Sequence, residues 1–153
     1  MAFVIESAAF RNGEPILTKY TRDGQNLSPP LYWTGAPADT RSYVVIVEDP
    51  DAPSGTFRHW GMYNIPASET ELPEGASSGE PGAIMQARND FGHAHYDGPE
   101  PPKGHGLHHY HFRVAALALN RLDLQAESTV AEVWEAARPS MIAEAELIGT
   151  YER

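Results

Sequence analysis

The chain contains no cysteine, so disulfides and thiolate metal centres are excluded. Basic residues are scarce: 11 Lys and Arg stand against 21 Asp and Glu, for a formal net charge of -10. A surface of that sign disfavours nucleic acid and anionic bilayers as partners. It still permits one small anion in a local pocket, where dipoles and histidines outweigh the mean field. No stretch approaches the roughly 20 apolar residues of a bilayer-crossing helix, so no membrane span is expected. The opening residues, MAFVIESAAFRNGE, carry no basic segment and no long apolar core, so no signal peptide is expected and the cytoplasm is the default compartment. P-loop, GxSxG, HExxH and GxGxxG patterns are all missing.

What is present suits one domain over 1–153, long enough to bury about two-thirds of its unfolded surface. Glycine and proline, 13 each, punctuate short apolar runs, a pattern of many strands and turns. Strands are expected at Phe3–Phe10, Leu31–Trp33, Ser42–Glu48, His59–Ile65, His109–Leu119 and Ala145–Tyr151. The run SYVVIV from Ser42 is continuous and β-branched, as in a strand buried on both faces. Two stretches, Ser68–Gly82 and Arg88–His108, read as loops, and loops of that length are often functional. One helix stands out. Thr129 and Glu132 form a capping box, Val130, Val133, Trp134 and Ala137 follow helical spacing, and Pro139 ends it. Helices do not alternate with strands, so the fold class is mostly β, an antiparallel β-sandwich with a short C-terminal helix.

The chemistry concentrates in two places. Asp49-Pro50-Asp51-Ala52-Pro53 follows the strongest strand, with His59-Trp60 just beyond. If the chain stays extended, Asp49 and Asp51 point the same way; the simpler reading is an acidic turn that ends a strand. Six of seven histidines lie between His93 and His111. Strand alternation puts His108, Tyr110 and Phe112 on one face and His109, His111 and Arg113 on the other. One face thus offers an imidazole and a phenol, either a hydrogen-bonding pair or a satisfied core pair. The pairs His109/His111 and His93/His95 read as solvated surface, or as His-x-His metal ligands completed by a carboxylate.

These residues carry a resemblance. DPDAPSG followed by HW and NIP, from Asp49 to Pro66, resembles the first signature of the phosphatidylethanolamine-binding protein (Raf kinase inhibitor protein) family. PPKGHGLHHYHF, from Pro101 to Phe112, resembles its second. NLSPPLYW and NDFG look like further family blocks, and the short length is most similar to the bacterial branch. The resemblance implies a Greek-key β-sandwich with a small anion pocket at one end. It places Asp49, Asp51, His59, His108 and Tyr110 in that pocket, a cis bond at Ala52–Pro53, and the loop Gly98–Gly104 on the rim. His109 stands where the family usually has Arg, and Glu100 is an acid where a small residue is usual.

The expectation is therefore a non-enzymatic binding protein with no cofactor. Its ligand would be phosphate, phosphorylethanolamine or a carboxylate, held by donors from Tyr110 and the imidazoles. A phosphorylated protein partner would make it a kinase- or protease-inhibitor-like regulator, and the resemblance suggests a homodimer. The competing expectation is a metal-dependent hydrolase built on the His/Asp cluster.

Overall fold

β-branched and aromatic runs become eight strands, described here from a computed structural model covering residues 2–79 and 84–153. The strands are β1 (Val4–Glu6), β2 (Leu31–Thr34), β3 (Ser42–Asp49), β4 (Phe57–Pro66), β5 (Glu71–Leu72), β6 (Met85–Gln86), β7 (His108–Leu117) and β8 (Met141–Tyr151). One α-helix, α1 (Val130–Ala137), sits between β7 and β8. The strands form two sheets, ordered β1-β2-β5 and β6-β4-β3-β7-β8, and every ladder is antiparallel. In the larger sheet β3, β4 and β6 lie side by side. β7 then returns over the long stretch 87–107 to lie beside β3, which is Greek-key order.

Both faces of β3 are buried, as its unbroken apolar run requires. On one face Val45, Val47, Trp60, Phe112 and Val114 meet Ile5, Leu31, Trp33 and Leu72 of the smaller sheet. On the other, Val44, Ile46, Tyr63, Ala115 and Leu117 meet Val130, Val133, Trp134 and Ala137 of α1. The capping box forms as the sequence predicts, with Glu132 N–H donating to Thr129 Oγ1 and Thr129 N–H to Glu132 Oε1. Gly61 lies beneath the helix: a Cβ there would stand 3.0 Å from Val130 Cγ2. Asn64 breaks the pleat of β4 with φ of 60°, and its side chain exchanges two hydrogen bonds with the Leu122 backbone.

Several strand boundaries differ from the expectation. The first strand shrinks to Val4–Glu6, because the Ser7 hydroxyl donates to Pro30 O and the chain leaves the ladder. β7 ends at Leu117, and Leu119 O instead accepts the Ser42 hydroxyl. β8 starts at Met141, four residues early, because β7 offers partners as far as Leu117. Two short strands, β5 and β6, fall on or beside the stretch read as a loop. Each is only two residues long, and its pairing comes from the edges of β2 and β4 rather than from its own composition. The Pro81-Gly82 part of that expected loop lies outside the described residues.

Candidate ligand-binding pocket

Antiparallel pairing brings the end of β3 and the starts of β4 and β7 to one end of the larger sheet. There Asp49, His59, His108 and Tyr110 surround a cleft of about 270 Å³. Ala52, Pro53 and Ser54 close one side, Phe57 and Phe91 another, and Glu100, Pro101 and Pro102 the rim.

Asp49 is buried and fully engaged. Its Oδ1 accepts the Asp51 N–H at 2.8 Å and its Oδ2 accepts His108 Nδ1–H at 2.6 Å. The neutral His108 ring then carries its proton on Nδ1, so Nε2 can only accept. It does so from His105 Nδ1–H at 2.6 Å. A chain Asp49–His108–His105 therefore runs from the buried end of β3 to an exposed loop bounded by Gly104 and Gly106.

His59 is also buried. Its Nδ1 lies 2.8 Å from Asp97 O. A carbonyl only accepts, so Nδ1 carries the proton and Nε2 keeps a lone pair with no protein partner among the described residues. Burial pushes the His59 pKa below the usual imidazole value, against the Asp97 carbonyl and the charge of Asp49. Tyr110 stacks edge-on against His59, with centroids 5.4 Å apart. Its hydroxyl is buried and has no hydrogen-bond partner among the described residues. Burial, then the charge of Asp49, pushes its pKa far up, so the phenol stays protonated and a donor. A buried donor without a partner carries a desolvation penalty of about 1–3 kcal/mol that an acceptor in the cleft would relieve.

The histidines differ from the expectation in one respect. In their neutral forms both pocket imidazoles turn lone pairs, not N–H groups, away from their protein acceptors. Among the described lining residues, Tyr110 carries a buried hydroxyl donor without a partner, and Ser54 carries a second hydroxyl.

The surrounding loop is held by Asn89. Its amide donates to His59 O, His95 O and Asp97 Oδ2, and its Oδ1 accepts the N–H of Phe91 and of His93. This places Phe91 in the wall and Asp97 O on His59. Arg22 stacks on Phe91, 4.2 Å from its centroid, and reaches Glu100 at 3.6 Å. Sequence reasoning missed Asn89, Phe91, Arg22 and His105 as builders of the site. Asn89 lies in the NDFG block of the stretch read as a loop, but nothing local says which strand that loop docks on.

A family model described as phosphatidylethanolamine-binding protein matches residues 6–152. The chain belongs to that family. UPF0098 protein PH1269 of Pyrococcus horikoshii is 48% identical over 151 residues, covering 96% of this chain and 75% of the relative. UPF0098 protein YbcL of Escherichia coli is 39% identical, covering 99% and 88%. The crystal structure of E. coli YbcL, described as a new member of the mammalian PEBP family, superposes with TM-score 0.94 at 38% identity, covering 100% of this chain and 99% of YbcL. A putative phosphatidylethanolamine-binding protein homologue from Chlamydia trachomatis superposes at 0.88 with 36% identity, covering 99% and 98%.

Three positions carried over from the phosphatidylethanolamine-binding family need correction. Asp51 does not line the cleft. The chain turns after Asp49, so the two aspartates diverge, and Asp51 Oδ2 accepts both the N–H and the ring Nδ1–H of His109 at 2.8 Å. Burial raises its pKa, but the His109 bonds more than offset this and the net shift is downward. Gly98 does not line the cleft either. Its N–H donates to Asn26 Oδ1, and a Cβ would collide with Tyr20 O, so glycine is required by close backbone approach. The Ala52–Pro53 bond is trans, the form that X–Pro bonds favour by about 0.5–1 kcal/mol. Pro53 remains in the pocket wall.

Proposed function

We propose that the cleft binds, without turnover, a small head group bearing a phosphoryl or carboxylate function, with phosphorylethanolamine the best fit. The observation that carries this reading is the buried Tyr110 hydroxyl, without a hydrogen-bond partner among the described residues, on a side chain that lines a cleft of head-group size. Tyr110 donates to one ligand oxygen. His59 Nε2 takes part only if a proton lies between it and a second oxygen. Either partner brings that proton: His59 by protonation, or the phosphomonoester, whose second pKa is about 6. Binding above pH 7 therefore takes up close to one proton. Glu100 on the rim repels a bare dianion and suits the ammonium of ethanolamine.

The same donor suits a phosphorylated side chain of a partner protein, which is the form a kinase- or protease-inhibitor-like regulator would use. Calorimetric titration with phosphorylethanolamine and with inorganic phosphate, at pH 6, 7 and 8, tests the proposal. Affinity should rise as pH falls, by up to about tenfold per unit for one proton taken up. Binding that is absent, or unchanged in Tyr110→Phe, overturns it.

A further inference from the structure

We propose that His93, His95 and Asp97 form a binding site for one first-row divalent ion of the zinc, nickel or copper kind, separate from the head-group pocket. One ligand atom from each of the three lies within 4.8 Å of the others. The His93 and His95 rings stack face to face, with centroids 4.8 Å apart and planes 22° apart. His93 Nδ1 is 2.7 Å and His95 Nδ1 3.6 Å from the same carboxylate oxygen, Asp97 Oδ2. Ligands of a tetrahedral ion with bonds of 2.0–2.2 Å lie about 3.3–3.6 Å from one another. The first distance must open by roughly 0.7 Å, the second already fits, and His95 Nδ1 must give up its 3.0 Å bond to Tyr96 O, within reach of half-exposed rings.

The carboxylate is already positioned. Asp97 is buried, and amides of Asn89 and Asn26 hold its two oxygens. Such outer amides are what orient ligating carboxylates. Both rings reach solvent, which gives an ion an entry path and leaves its fourth position for water. Arg22 faces the same carboxylate, with Nη1 3.9 Å from Oδ1. It opposes a cation and weakens the site without occupying Oδ2. Two imidazoles and one carboxylate select ions of intermediate softness over magnesium or calcium, which demand more oxygens. The site lies behind the pocket wall, since Phe91 stacks on His93 at 6.5 Å.

The test titrates chelator-treated full-length protein with zinc chloride by calorimetry, and with cobalt(II) by visible absorption. Wild type should bind one zinc per chain and give the intense d–d bands of tetrahedral cobalt. His93→Ala and His95→Ala should each weaken zinc by about tenfold or more and remove the bands. Both residues are exposed, so these variants should keep the wild-type thermal transition. His109→Ala, another exposed histidine paired to an aspartate, should bind zinc as wild type does. No saturable zinc binding, or binding lost in His109→Ala and retained in His93→Ala, overturns the proposal.

Discussion

Consecutive residues of β7 show how one strand supports two different chemistries. His108 and Tyr110 face inward, and His109 and His111 face outward, on the same ladder. Inside, His108 meets Asp49 at 2.6 Å with both groups buried; outside, His109 meets Asp51 at 2.8 Å with both nearly half exposed. The pairs look alike in sequence and in distance. They differ in what water can do when a partner is lost. An inner partner left alone stays desolvated, whereas an outer one is rehydrated.

The sharpest way to break that comparison is to truncate both acids. Asp49→Ala strands His108 Nδ1–H and the Asp51 N–H, and should cost about 3 kcal/mol in urea unfolding. Asp51→Ala should cost less than about 1 kcal/mol. Equal losses would mean that burial does not separate the two sides. Next in size, Tyr110→Phe removes a buried hydroxyl that has no partner among the described residues. It should leave stability unchanged or raise it by about 1 kcal/mol, while weakening phosphorylethanolamine by about tenfold. A fall in stability with normal binding would make Tyr110 a core residue and no more.

His59 sharpens the contrast through pH. Its pKa in the fold is depressed, so the unfolded chain binds more protons and stability rises with pH. The contribution of neutral His59 should be complete above the unfolded value of 6.5 and drain away as pH falls below it. Melting temperature should therefore drop less between pH 7 and pH 5 in His59→Phe than in wild type. The smallest effect is expected at the exposed loop. His105→Ala uncovers His108 Nε2 and should change stability by less than about 0.5 kcal/mol, while shifting ligand affinity a few-fold. Unchanged affinity would show that the Asp49–His108–His105 chain ends before the ligand.

Much of the frame was legible because it rests on local periodicity. The β-branched run of β3, the alternation in β7 and the capping box of α1 all sit within one element and came out near their read positions. β5 and β6 were not legible, since two residues carry no period and their pairing is lent by neighbours. Asp51 failed for a related reason. Its side was read from an extended chain, and the proline-bearing turn rotated it toward His109. Gly98 was read as a pocket residue, although its role is to let the backbone pass close to Tyr20 O.

Residue types and their spacing were enough to set the fold class and the face of β7 that carries an imidazole beside a phenol, because side-chain alternation needs no distant partner; the family was legible only through the resemblance of two signature stretches. Which nitrogen of His59 and His108 holds a proton was decided only when Asp97 O and Asp49 arrived from elsewhere in the chain. A hydrogen-bond acceptor thirty to sixty positions away leaves no trace in the local pattern, yet it determines whether an imidazole meets the cleft with a proton or a lone pair.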